Sequence, residues 1–400
     1  MRRGPQRRSG AGDAETVRAP VGCPRREAGS RRPRPLAVAA ARRGRPMPGA
    51  RWGPARPSCS RVISVVNDIV SSELRTRIQR AKCDIEECLR SGDPAATFRG
   101  LGRGPEIWIA ALDEIFDEWP LREAERAAAL LHETLPAAEY LSTVTMLLGA
   151  APPAEAHEPE IEPRDFQSVL IARHSDAVGT VVAFTGMKGR LGMPLKIADR
   201  WFSAARLNRI YLRDANKDFF LGGLKDLGGS FEESVLSLRR TIDAFGGGRL
   251  FLFGGSAGGY PALRYALALE AQAVLVFSGA TNITRSFVGD AVDRYGAREQ
   301  PDLRPAYAAA AHPPRVRLVY AAGHAMDALQ AGNFKDLPGV ICDPLPDCTT
   351  HITIPEAVRT GKYGGLLAWL FECDRPKPGA NPDAVVGHDT LSGRSRPDSV

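Results

Sequence analysis

The sequence predicts an α/β protein in which a small all-α domain precedes a doubly wound, mostly parallel sheet. Three observations indicate this. Amphipathic helical patterns fill residues 62–150, a Pro- and Glu-rich linker spans 151–163, and short β-branched runs alternate with helical segments over 164–372. Runs without polar alternation are typical of parallel strands covered on both faces. The flanking residues, 1–61 and 373–400, are expected to be disordered.

The N-terminal arm is rich in Arg, Pro and Gly. Its first 60 residues hold 15 Arg and no Lys against three acidic residues, so it accounts for the net charge of +7 of the 400-residue chain. Arg-rich arms bind nucleic acid through phosphates. Because Lys is absent and Pro abundant, we expect solvated disorder and no nucleic-acid partner. A transit peptide and a start codon assigned too far upstream stay open as alternatives.

Several function classes are disfavoured by missing patterns. No run of about 18 apolar residues occurs, and residues 35–41 are too short and too closely bounded by Arg for a signal-peptide core. The seven cysteines form no Cys-x-x-Cys pair, and neither His-x-x-Glu-His nor Gly-x-x-x-x-Gly-Lys-Ser/Thr occurs. We therefore expect a cytoplasmic protein without membrane association, metal or cofactor.

The all-α domain begins with apolar residues at every third or fourth position over 63–89, which predicts one long amphipathic helix. Prolines then mark the starts of three more helices, because Pro is tolerated in a first turn and rejected inside a helix. Their expected bounds are 106–119, 121–135 and 137–148. No motif in this domain indicates an activity. The domain is a candidate surface for a protein partner.

The α/β domain is expected to contain seven strands and five helices. The strands are predicted at 167–172, 180–184, 209–213, 249–254, 273–278, 315–321 and 339–343. The helices are predicted at 194–207, 231–245, 257–269, 325–332 and 354–371.

The most informative motif is Gly254-Gly255-Ser256-Ala257-Gly258, which follows an apolar strand-like run and leads into a helical pattern. Ser256 would occupy a sharp, strained turn, in which a side chain at Gly254 or Gly258 would collide with the neighbouring strand or helix. Gly-x-Ser-x-Gly between a strand and a helix is the pattern of a catalytic serine held above a sheet.

With this motif, residues 164–372 resemble the α/β-hydrolase superfamily. That family carries Ser, acid and His in this order, each on a loop after a strand. Ser256 is therefore predicted as nucleophile, His351 as base and Asp327 as the acid that orients the base. Asp343 and Asp347 stay open as alternative acids. We interpret His324, which precedes the acid, as a structural loop residue.

Acyl transfer also needs backbone N–H groups that bind the developing oxyanion. Ala257 is expected to provide one, and Gly186 or Met187, after the strand at 180–184, the other. The family's common His-Gly or Gly-Gly form is absent there, and a plain strand-to-helix turn is the alternative interpretation.

Three aromatic residues are candidates for the substrate pocket. Phe219 and Phe220 lie on a long glycine-rich loop after the strand at 209–213, and Tyr260 follows the serine motif. Core packing is an equally open interpretation of all three.

The resemblance implies a serine esterase or thioesterase that acts through an acyl-enzyme. An acyltransferase would use the same residues, and a non-catalytic scaffold that keeps the fold stays open. The runs at 210–214, 221–224 and 255–260 further resemble bacterial hydrolase domains that accompany glycan-processing or accessory secretion proteins. That likeness implies a small-molecule, carrier-bound or glycan-bound acyl substrate.

Overall fold

The computed structural model describes residues 59–92, 104–153, 161, 167–283 and 301–371, with side chains described from residue 72 onward. The predicted C-terminal tail, almost all of the predicted arm and most of the predicted linker lie outside these residues. The described residues from Val62 onward belong to one compact unit, which contains both the predicted helical domain and the predicted sheet.

Within the described residues, four helices precede the sheet: α1 Cys59–Ser91, α2 Pro105–Glu118, α3 Leu121–Thr134 and α4 Glu139–Ala150. Their starts follow the proline pattern, with Pro105 in the first turn of α2 and Pro120 capping α3. Helix α4 begins two residues later than predicted. The first residues predicted for α2 and α3 from the prolines therefore lie close to the observed ones.

Seven strands form one sheet: β1 Val169–Ala172, β2 Gly179–Phe184, β3 Leu207–Leu212, β4 Arg249–Gly255, β5 Ala273–Phe277, β6 Arg315–Ala321 and β7 Val340–Leu345. Their order is β1-β3-β2-β4-β5-β6-β7. Strand β1 runs antiparallel to β3, and all other neighbouring pairs are parallel. The predicted fold class, an α/β protein with a mostly parallel sheet, is confirmed.

In the part of the chain that the structure describes, seven further α-helices accompany the sheet: α5 Leu195–Ala204, α6 Phe231–Asp243, α7 Gly259–Ala268, α8 Arg304–Ala309, α9 Ala325–Gly332, α10 Thr353–Arg359 and α11 Tyr363–Phe371. The single helix predicted at 354–371 is two helices, because Gly361 adopts a φ of +71° between them. Helix α8 was not predicted, since its six residues are too few to show a helical period.

The helices α2–α4 and the sheet share one hydrophobic core. Ile115 and Phe116 of α2 belong to the same buried cluster as Phe202 of α5 and Phe253 of β4. Helix α2 packs on α5, and α4 packs on α10. Each such buried aliphatic or aromatic side chain contributes roughly 1.5–3 kcal/mol of transfer free energy. The helices are therefore a layer of the same compact unit as the sheet. Within the described residues, no helix combines the length and apolarity needed to cross a bilayer.

Candidate active site

Ser256 lies in a tight turn between β4 and α7. Its φ is +54°, a strained value for a residue with a side chain. A Cβ atom on Gly254 would lie 2.4 Å from the carbonyl oxygen of Gly258, and one on Gly258 would lie 2.1 Å from that of Phe184. Both glycines are required because a methyl group at either position would overlap backbone. The turn holds the Ser256 hydroxyl at the carboxyl end of β4.

The structure brings the three predicted polar residues into one chain of hydrogen bonds. The Oγ atom of Ser256 lies 2.8 Å from Nε2 of His351, and Nδ1 of His351 lies 2.7 Å from Oδ1 of Asp327. Asp327 sits in the first turn of α9, and His351 precedes α10. Protonation of His351 at Nδ1 leaves Nε2 free to accept the Ser256 proton. This arrangement can deprotonate Ser256 and stabilise the imidazolium that results.

Asp327 is held as a carboxylate in a buried position, its side chain being 2% exposed. Burial by itself would raise the pKa of Asp327. This effect is outweighed by hydrogen bonds from His351 and Ser278 and by the charges of His351 and His324, so the pKa of Asp327 lies below its ordinary value. The residue therefore stays ionised and can orient His351 throughout the neutral range.

The two alternative acids lie elsewhere. Asp343 binds Arg317, with 2.6 Å between Oδ2 and Nη2. Asp347 is exposed on the segment after β7. Of the three acids that the sequence left open, Asp327 alone makes a described hydrogen bond to His351.

His324 contacts the same carboxylate oxygen as His351. Its Nδ1 atom lies 2.9 Å from Oδ1 of Asp327, and the two imidazole centroids are 5.5 Å apart. The sequence interpretation of His324 as a structural loop residue missed this contact. The spacing of His324 and Asp327, three residues apart at a helix start, is the signal that could have indicated it.

His324, Asp327 and His351 also offer nitrogen and oxygen atoms within 4.8 Å of one another, a grouping that could hold a metal ion. Both histidines already use Nδ1 to contact Asp327, so a metal there would have to replace these two hydrogen bonds. The absence of a metal requirement stays a prediction.

The loop after β2 lies directly against the serine turn. A Cβ atom on Gly186 would lie 3.3 Å from the Gly255 carbonyl oxygen and 3.5 Å from Cβ of Ser256. The Gly186 N–H donates to the carbonyl oxygen of Arg190 at 2.8 Å. This bond closes a tight turn and removes Gly186 from the two alternative oxyanion donors. Met187 is the remaining one on this loop.

The three predicted pocket aromatics require a correction. Tyr260 and Phe220 are at most 1% exposed and Phe219 is 6% exposed, and all three belong to one hydrophobic core cluster. Phe220 packs edge-on against Phe184 with 5.3 Å between ring centroids. They are packing residues in this structure, because burial in the core leaves almost no surface for a substrate.

Two further residues near the acid, Ser278 and Thr353, were not predicted from the sequence. Their hydroxyl oxygens are 2.9 Å apart, and both side chains are buried. Ser278 has a φ of +46° at the end of β5, and its hydroxyl lowers the pKa of Asp327. A serine at the end of a strand carries no distinctive sequence signal, so this contact could be found only from the structure.

Comparisons with known proteins give matches among solved structures only. No protein-family model matches the chain, and no curated protein matches it. A hormone-sensitive lipase from a metagenome library is 14% identical, with a TM-score of 0.40, over 63% of this chain and 98% of that one. MGS-MChE2, an alpha/beta hydrolase from lagoon sediments of Mar Chica, Morocco, is 15% identical, with a TM-score of 0.37, over 54% and 98%. The capsule O-acetyltransferase of Neisseria meningitidis serogroup A is 8% identical, with a TM-score of 0.36, over 55% and 97%.

Sheet order, parallel strands and the serine turn between β4 and α7 define the class: this chain has a fold of the α/β-hydrolase type. Because the identities are low, the function has to be argued from the site itself.

Proposed function

We propose that this protein is a serine hydrolase that cleaves an acyl ester or thioester through an acyl-enzyme intermediate. The observation that carries the proposal is the unbroken hydrogen-bond chain from Ser256 through His351 to the buried Asp327. A serine hydroxyl is a weak nucleophile at neutral pH and needs such a base within hydrogen-bond reach.

In the first half of the reaction, Oγ of Ser256 forms a bond to the substrate carbonyl carbon, and its proton passes to Nε2 of His351. The carbonyl π electrons move onto oxygen, where the N–H groups of Ala257 and Met187 stabilise the negative charge. Collapse of this intermediate breaks the bond to the leaving group, which takes the proton from His351. Asp327 stabilises the transient imidazolium through its hydrogen bond to Nδ1.

In the second half, His351 removes a proton from water, and the resulting hydroxide forms a bond to the acyl carbon. The Ser256 ester bond then breaks, and His351 returns the proton to Oγ. The products are the free acid and the regenerated enzyme. An alcohol in place of water would make the same residues an acyltransferase.

The test is labelling of the full chain with a fluorophosphonate probe, with the labelled peptide mapped by mass spectrometry. We expect labelling of the wild type at Ser256 only and none of Ser256→Ala. His351→Gln is the matched control, because it retains the Ser256 hydroxyl but removes its base, and it should label far more slowly. Folded wild type that does not label would contradict the proposal and favour the non-catalytic scaffold.

The same preparations distinguish hydrolysis from transfer. With p-nitrophenyl acetate as donor and glycerol as added acceptor, the hydrolase proposal predicts acetate as the main product. Predominant acetylglycerol would instead show an acyltransferase.

A further inference from the structure

Helices α2 and α4 reach the loop after β2 through one arginine. Nη2 of Arg190 donates to the backbone oxygen of Asp113 at 2.8 Å, and Nη1 donates to the carboxylate of Asp113. Nη1 also lies 3.0 Å from the hydroxyl oxygen of Tyr140. Asp113 belongs to α2 and Tyr140 to α4, so one guanidinium joins two helices to the loop.

The surroundings of Arg190 stabilise its positive charge. Its side chain is 14% exposed, and that of Asp113 is 27% exposed. Burial lowers the pKa of Arg190, but the charge of Asp113 outweighs this effect and raises it. The guanidinium is therefore permanently charged, and its planar set of donors matches the carboxylate and carbonyl oxygens of Asp113 as an ammonium group would not.

A second pair of charges supports the same loop. Arg213 lies 4.0 Å from the carboxylate of Asp117, one turn further along α2. A Cβ atom on Gly189 would lie 3.3 Å from Nε of Arg213, so this side chain packs directly against the loop. Helix α2 thus presents Asp113 and Asp117 to two arginines at the loop, Arg190 within it and Arg213 packed against it.

The loop transmits the position of Arg190 to the serine turn over a short distance. The backbone oxygen of Arg190 accepts the Gly186 N–H, and the Gly189 N–H donates to the Gly186 oxygen at 2.9 Å. Gly186 in turn packs on Ser256. Met187 lies inside this closed turn, so the direction of its N–H depends on where Arg190 is held.

We propose that Arg190 is a positioning residue, through which helices α2 and α4 hold the Met187 N–H in place for the oxyanion. The inference rests on the proposed hydrolase function and gives the helical layer a role in catalysis. Oxyanion donors act only when their geometry is fixed before the reaction.

The chain offers a closely matched control. Arg200 of α5 and Glu125 of α3 also form an ion pair between the helical layer and the α/β layer, at 2.5 Å. Their side chains are 15% and 31% exposed, which closely resembles the Arg190 and Asp113 pair. Glu125→Gln therefore removes an equivalent cross-layer ion pair that does not involve the loop after β2.

The experiment compares Arg190→Lys, Asp113→Asn and Tyr140→Phe with Glu125→Gln in the full chain. We measure kcat and KM for p-nitrophenyl acetate, the rate of fluorophosphonate labelling, and Tm. Arg190→Lys and Asp113→Asn should lower kcat about 10-fold or more with KM changed less than about 2-fold, since losing an oxyanion donor outright costs about 10²–10³ in kcat. Glu125→Gln should lower Tm by about as much as Arg190→Lys and Asp113→Asn do. It should leave kcat within about 2-fold of wild type.

Tyr140→Phe decides the question if the two ion-pair variants do not fold, because it removes one hydroxyl and no charge. It should still slow labelling of Ser256 by about 2- to 5-fold. If Tyr140→Phe and every folded ion-pair variant match Glu125→Gln in kcat while Ser256→Ala is inactive, the positioning role is wrong and the hydrolase proposal stands. If Ser256→Ala retains the activity and the label, the hydrolase proposal itself is wrong.

Discussion

Nδ1 of His324 lies 2.9 Å from Oδ1 of Asp327, the oxygen that also accepts a hydrogen bond from His351. With its proton on Nδ1, His324 donates a hydrogen bond to the same carboxylate oxygen as His351, so the two imidazoles compete for the negative charge of Asp327. The backbone N–H of Asp327 lies at a longer 3.4 Å from the same nitrogen, so the contact with the carboxylate is the stronger of the two. The acid of the site thus interacts with two imidazoles, and only His351 contacts Ser256.

His324→Gln should change the pH dependence of catalysis. Without the His324 contact, the whole carboxylate charge of Asp327 acts on His351. We expect the acid limb of kcat/KM to move to higher pH. A profile of p-nitrophenyl acetate hydrolysis from pH 5 to 9 measures this. An unchanged acid limb would show that His324 serves only as the cap of α9.

Asp327→Asn should lower kcat by about 10³–10⁴, because the amide favours the wrong tautomer of His351 while the fold is kept. Asp343→Asn is the control, since it removes a carboxylate that binds Arg317 and leaves the site intact. Steady-state kinetics of the two variants, with circular dichroism to verify folding, tests the assignment. Comparable losses in both variants would contradict the role of Asp327.

The lowered pKa of Asp327 also predicts a stability effect. A carboxyl with a depressed folded-state pKa contributes stability above its unfolded pKa, and this contribution is lost as pH falls through the folded value. Asp327→Asn should therefore lower Tm relative to wild type at pH 7, and the difference should shrink below about pH 4. Differential scanning fluorimetry across this range measures it.

Asp214 should affect stability in the opposite direction to Asp327 as pH changes. Burial and the neighbouring charge of Asp218 raise the pKa of Asp214 to about 6. Its stabilising contribution is present below the unfolded pKa and is lost as pH rises through about 6. Asp214→Asn stays neutral and can still accept the Phe220 N–H, which lies 3.3 Å from Oδ2. We expect the variant to exceed wild type in Tm by about 2–4 °C at pH 7.5 and to match it near pH 4.

Asp226→Asn is the control for Asp214→Asn. Hydrogen bonds from the hydroxyl and N–H groups of Ser168 lower the pKa of Asp226, so this variant should reduce Tm at neutral pH. Shifts of the same sign in both variants would rule out the charge argument for Asp214.

The sequence predicted the sheet and the meeting of Ser256, Asp327 and His351 because both follow from patterns along the chain. Buried strands are recognised in a sequence as apolar runs. Residues that follow parallel strands lie together at the carboxyl edge of the sheet. It did not predict the burial of Phe219 and Phe220, since an aromatic residue on a loop gives no sign of which way it points. Both adopt positive φ values of 62° and 60°, which turn the loop into the core.

The contact between Arg190 and Asp113 was beyond the sequence for a different reason. The two residues are 77 positions apart, and the predicted linker separates the elements that carry them. A lone arginine and a lone aspartate at such a distance are no more informative than any other charged pair. The packing of α2 on α5 accompanies their contact in the folded structure.

Gly258 is the position where the local geometry of the site allows least change. A Cβ atom there would lie 2.1 Å from the Phe184 oxygen and 2.7 Å from the Thr185 oxygen, both rigid backbone atoms of the neighbouring strand and loop. Gly258→Ala should therefore cost about 3 kcal/mol or more and abolish Ser256 labelling, because the serine turn would have to move away from the end of β2. Gly149→Ala in α4 is the control. Its added methyl group would meet nothing within 4 Å and should stabilise the helix by about 0.5–1 kcal/mol. Urea unfolding of both variants measures the difference, and a Gly258→Ala protein as stable as wild type would mean that the serine turn is not confined by β2.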